Sequence, residues 1–135
     1  MERATDVNVA QAASLSLSAP LVSSSKDHVG PMEMLLVALA ACTAMDIVDI
    51  LKKKRQTPLD FKIKVLGNQR MDAYPKIYTE FKVQYLLWGE SLQAKDVEQA
   101  IQLSEEKYCS VGATLAKAGP IHSSYRILKP GEKIE

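Results

Sequence analysis

The chain is poor in most residues that carry chemistry. Its 135 residues include two cysteines, two histidines, one tryptophan and two phenylalanines. His28 and His122 lie far from each other and from both cysteines, so metal-ligand spacing is missing and no metal or cofactor is expected. Both are lone histidines, and His122, in a strand, reads as structural. A glycine-rich phosphate loop, a Gly-x-Ser-x-Gly elbow and a His-Glu-x-x-His helix are all absent. Charge of one sign is lacking too: the formal net charge is +1. That argues against a nucleic-acid partner held by phosphate neutralisation. The few aromatic residues do not interleave with basic ones, so no base-stacking platform is expected either. After Met1 the text ERATDVNVAQ has no apolar core of a secretory leader. The longest apolar run, Met34 to Met45, is about 12 residues, short for a bilayer, so no membrane partner is expected. Together these absences predict one soluble domain, residues 1–135, in the reducing cytoplasm, where lasting disulfides are uncommon.

What is present divides into regimes of periodicity. Residues 1–29 read as a short N-terminal hairpin and loop: segments 5–10 and 14–19 alternate apolar and small polar residues, and Val22 to His28 is a polar loop. Gly30-Pro31 opens a helix, since proline suits its first position, and the helix runs to about Arg55, before Thr57-Pro58. Its first half is apolar on nearly every face, as in a helix covered on all sides, in a core or a subunit interface. The cluster Lys52, Lys53, Lys54 and Arg55 complements the dipole at its end. Residues 61–69 place Phe61, Ile63 and Val65 on one face of a strand. Residues 76–88 place Ile77, Thr79, Phe81, Val83 and Tyr85 on one face of an antiparallel partner. An amphipathic helix over 93–107 follows, with Val97, Ala100 and Ile101 inward and Ser91 as its N-cap. Cys109 to Ala118 forms a short helix, and residues 121–128 a last strand. This order predicts an α+β fold.

The thiols carry the remaining signal. At about 100° per residue, Leu35, Ala38, Asp46 and Asp49 share the side of the helix that bears Cys42. Carboxylates there raise a thiol's pKa, and Cys42 lies too deep for the dipole to help. Cys109 opens a helix after Lys107, where its pKa is expected to be lowered. On residues alone, each cysteine reads either as a reactive thiol or as a small core hydrophobe.

Gly30 to Cys42, GPMEMLLVALAAC, resembles the central helix of the OsmC/Ohr superfamily of osmotically induced and organic hydroperoxide resistance proteins. Leu103 to Val111, LSEEKYCSV, resembles its second cysteine motif, and the wording of both is most similar to the YhfA-like branch. The resemblance covers a core of residues 30–128. It implies an OsmC-like fold: a long buried central helix, a wrapped antiparallel sheet and an intertwined homodimer. It also implies thiol-dependent reduction of an organic hydroperoxide. Cys42 would be the peroxidatic thiol, Cys109 the resolving one, and a dithiol, often on a lipoylated protein, the reductant. In the peroxidases an acid directly after the helix-opening proline pairs with an arginine of the N-terminal hairpin. Here Met32 holds that place, Glu33 follows it on the side away from Cys42, and the N-terminal arginine is Arg3. The alternative on the same scaffold is a non-enzymatic redox sensor or small-ligand-binding protein.

Overall fold

The computed structural model describes residues 2–8, 22–24 and 30–133. The first helix, α1, spans Pro31–Lys53. Gly30 precedes it in extended conformation and Pro31 sits where a missing N–H costs nothing. One side of α1 is sealed: Leu36, Leu39, Ala40, Ala44, Ile47 and Leu51 are at most 1% exposed. Each large aliphatic side chain buried this way stabilises the fold by about 1.5–3 kcal/mol. Arg55 ends the helix with φ of 59°, the left-handed turn common after a last helical residue.

Five strands form one sheet in the order β2-β1-β3-β4-β5. They are β1 (Glu2–Asn8), β2 (Val22–Ser24), β3 (Asp60–Gln69), β4 (Tyr78–Trp88) and β5 (Ile121–Leu128). The expected segment 14–19 lies outside the described residues, and Val22–Ser24, expected as loop, is a short strand on β1. In β3, residues Phe61, Ile63 and Val65 are buried at period two, as expected. In β4, Phe81, Val83 and Tyr85 are buried with them, but Ile77 is 44% exposed and Thr79 is exposed as well. A register shift at Asn68/Gln69 breaks the alternation, so that Tyr78 and Phe81 both turn inward. The pairs β1–β2, β1–β3 and β3–β4 are antiparallel. β5 joins β4 in parallel, which departs from the expected wholly antiparallel sheet. A parallel neighbour needs a crossover, and helices supply it here.

That crossover is α2 (Ala94–Leu103), a π-helical turn over Ser104–Tyr108, and α3 (Ser110–Leu115). Val97, Ala100 and Ile101 face the core as expected. The cap of α2 is Gln93 rather than Ser91, and its side chain makes no capping bond. Gln56 substitutes from the end of α1: its Oε1 accepts from the Gln93 backbone N–H at 2.9 Å, and its Nε2 donates to Asp96 at 2.5 Å. Lys54 adds an ion pair to Asp96 at 3.2 Å.

The other side of α1 is not covered. In the single chain Met34, Leu35 and Met45 are 60%, 41% and 61% exposed, so the chain's described residues supply the core side of the expected cover and not the subunit-interface side. By length and composition its 23 residues are also enough to cross a bilayer, contrary to what the shorter apolar run predicts. The face packed on the sheet is that of a core helix.

Candidate active site

Cys42 lies half-buried on α1, and Cys109 is buried just ahead of α3. They are 67 residues apart in the chain. The crossover folds back over α1 and brings them together: both sulfurs and a carboxylate oxygen of Asp46 lie within 4.8 Å of one another. Asp46 is one helical turn beyond Cys42, where the 3.6-residue period puts it. Asp49, expected on the same side, is instead exposed and pairs with Lys53 at 3.2 Å.

The wide π turn sets the position of Cys109. It places Ser104 deep in the core, where its hydroxyl donates to Asp46 Oδ2 at 2.9 Å. Its carbonyl accepts from the Cys109 backbone N–H at 2.7 Å. One turn on, the backbone N–H of Gly112 donates to Cys109 Sγ at 3.2 Å. A Cβ on Gly112 would stand 3.2 Å from that sulfur, a tight contact that the sulfur would have to ease by a few tenths of an ångström. Ser104 and Gly112 are site residues that sequence reasoning missed. Both depend on the π turn, and a regular helical period hides it.

Cys109 does not behave as its place ahead of a helix suggests. Burial, then the hydrogen bond with Cys42, pushes its thiol up to about 12, with the charges of Cys42 and Asp46 adding to the rise. The single N–H of Gly112 pulls the other way and loses. Cys109 therefore keeps its proton at neutral pH.

A cavity of about 220 Å³ adjoins Cys109. Leu39, Val83, Ala116 and Ile121 make its walls apolar, and Tyr85 and Glu105 add a polar rim. Tyr85 donates to Glu105 Oε1 at 3.0 Å, and Ser123 donates to the same oxygen. Burial, followed by the charge of Glu105, raises the Tyr85 hydroxyl well above the ordinary range, so it remains a neutral donor. None of the described residues lining the cavity is a lysine or arginine.

The other candidates fall elsewhere. Glu33 is 4% exposed in the first turn of α1. Arg3 is in β1, its backbone opposite Gly67 of β3. Two further arginines that could have supplied a cation to Cys42 lie elsewhere: Arg70 donates to the Pro75 carbonyl in the β3–β4 connection, and Arg126 is exposed on β5. His122 is exposed, 3.5 Å from Glu80, and His28 lies outside the described residues. Cys42, Asp46 and Cys109 thus form one compact cluster of two sulfurs and a carboxylate oxygen.

A buried helix under a sheet, with two thiols brought together from distant segments, defines the class. The OsmC-like protein family matches residues 24–124, and the chain belongs to it. Protein YhfA of Escherichia coli (strain K12) is 40% identical over 98 residues, 73% of this chain and 72% of that protein. A hypothetical protein from Aquifex aeolicus VF5 superposes with a TM-score of 0.72 at 36% identity, covering 83% of this chain and 87% of its own. The organic hydroperoxide resistance protein OsmC from Legionella pneumophila shares the fold at a TM-score of 0.58 and 10% identity, with 76% and 73% covered.

Proposed function

We propose that this protein is a thiol peroxidase that reduces organic hydroperoxides through Cys42 and Cys109. The observation that carries the reading is the meeting of two distant sulfurs within 4.8 Å, with Cys109 buried and protonated beside a more exposed Cys42. In this reading the more exposed sulfur, Cys42, meets the peroxide first, and the thiolate is the form of it that attacks. The Cys42 thiolate takes the distal oxygen of the hydroperoxide, the O–O bond breaks, and the alkoxide leaves as the alcohol after protonation. Cys42 is then a sulfenic acid. Cys109 condenses with it to a disulfide and water, and an external dithiol, on a lipoylated protein by family analogy, restores the pair. A hydroperoxide substrate also accords with the name of the Legionella neighbour, an organic hydroperoxide resistance protein.

Glu33, in the first turn of α1, and Arg3, in β1, are carried into this reading by family analogy as the acid and arginine of the catalytic site. The exposed face of α1 is assigned to a second copy of the chain, and the reducing cytoplasm to its place of work.

One observation favours a second reading, a non-enzymatic redox sensor or small-ligand binder. The cavity beside Cys109 has no basic residue among its described lining to hold a thiolate. Steady-state assays separate the two. Wild-type protein should consume cumene hydroperoxide with a dithiol over many turnovers, and hydrogen peroxide more slowly, because the cavity is apolar. Cys42→Ser should be inactive, and Cys109→Ser should consume about one equivalent and stop as a sulfenic acid. A single loss of two mass units, with no turnover on any dithiol, would make the protein a sensor.

A further inference from the structure

Joining the two sulfurs requires Cys109 to lose a proton in a buried place, and the cysteine pair alone supplies no acceptor. Three features single out one group. Asp46 has an oxygen within 4.8 Å of both sulfurs. Ser104 fixes its Oδ2 by one hydrogen bond, while a carboxylate has room for about four. The other carboxylate beside the cavity, Glu105, is already engaged by Tyr85 and Ser123.

We propose that Asp46 is the general base of disulfide formation in this protein, held by Ser104, and that it relays the Cys109 proton to the group leaving Cys42. The leaving group is hydroxide only if the peroxidase reading holds, and to that extent the inference rests on it. In the step, the S–H proton of Cys109 passes to the Asp46 carboxylate as the S–S bond forms. The S–O bond of the Cys42 sulfenic acid breaks, and the oxygen leaves with the proton from Asp46 as water. The Cys42 sulfur is reduced, the Cys109 sulfur is oxidised, and Asp46 returns to its starting charge. The titratable groups facing the step are Cys42 and Asp46 from α1, Cys109 ahead of α3, Tyr85 from β4 and Glu105 from the π turn.

The base can be tested without peroxide. Dithiobis(nitrobenzoate) reacts first with the more exposed Cys42 and releases one thionitrobenzoate. Cys109 then attacks the mixed disulfide and releases the second. Asp46→Asn keeps an oxygen for the Ser104 hydroxyl and removes only the base. It should leave the first phase unchanged or faster, since a negative charge beside Cys42 is gone. It should slow the second by about 10²–10⁴-fold, the usual loss of a general base. The slowed phase should rise tenfold per pH unit, and Asp46→Glu should recover part of the rate. A second phase that is unchanged or faster in Asp46→Asn overturns the proposal, because Asp46 would then act only as a charge that raises the thiol. Should that variant fail to fold, the wild-type second phase in deuterium oxide decides: slowing beyond that of the first phase supports proton transfer, and none overturns it. A wild type with no peroxide turnover but a base-dependent second phase would refute the peroxidase reading and leave Asp46 in its role.

Discussion

Cys109 keeps its proton because it is buried beside another sulfur and a carboxylate, and this ties stability to pH. Its thiol stands at about 12 in the fold, against an ordinary value of 9.0. The stabilisation is fully present below about 9 and is lost as pH rises through 12, where the unfolded chain has already released the proton. The urea midpoint of the reduced wild type should therefore fall more steeply between about pH 8.5 and 10.5 than that of Cys109→Ala. Equal slopes would mean that the thiol is not perturbed. The sequence points to a lowered value here, from the helix start and Lys107. The helix after Cys109 has only six residues and offers one N–H to the sulfur, too little against burial. Asp46 was legible beside Cys42 because α1 is regular. Asp49 was expected with it, but it lies about 10 Å further along α1 from Cys42, where it finds Lys53 and solvent.

Regular elements were likewise legible, and irregular ones were not. The helix α1, the alternation of β3 and the span of β5 follow from proline placement and period. The bulge opposite Tyr78, the π turn and the parallel seat of β5 come from contacts between segments, which no local period records. The seat of β5 depends on one residue. A Cβ on Gly119 would fall 2.0 Å from the Thr79 carbonyl oxygen, part of the β4 backbone. Phe81 of β4 takes its next bond from its N–H to the Pro120 carbonyl at 2.9 Å. Gly119→Ala should thus cost more than Gly67→Ala, whose new methyl meets the ring edge of Tyr78 at 2.6 Å and can displace a side chain. Overpacking of the second kind costs about 1–3 kcal/mol. Urea unfolding of the two variants tests the ranking, and a milder Gly119→Ala would contradict it.

At the scale of the molecule, one helix faces two ways. The sheet covers one side of α1, and Met34, Leu35 and Met45 lie open on the other. Sedimentation should give the mass of two chains at micromolar concentration. Met45→Glu should be nearly silent in a monomer, because the side chain is 61% exposed, but should split a dimer sealed by this face. A wild type that sediments as one chain would remove the second copy from the proposal. The crossover that joins the thiols also sets an order in time. A ribosome adds about 5–20 residues per second and releases the N-terminal part first. Cys42 is therefore made several seconds before Cys109, and the π turn that seats Cys109 forms later still. During that interval the nascent chain is a one-thiol protein, and an oxidant reaching it finds no second sulfur to stop the oxidation at a disulfide. The newborn chain is then the form most open to irreversible damage by the compounds the finished protein is proposed to remove.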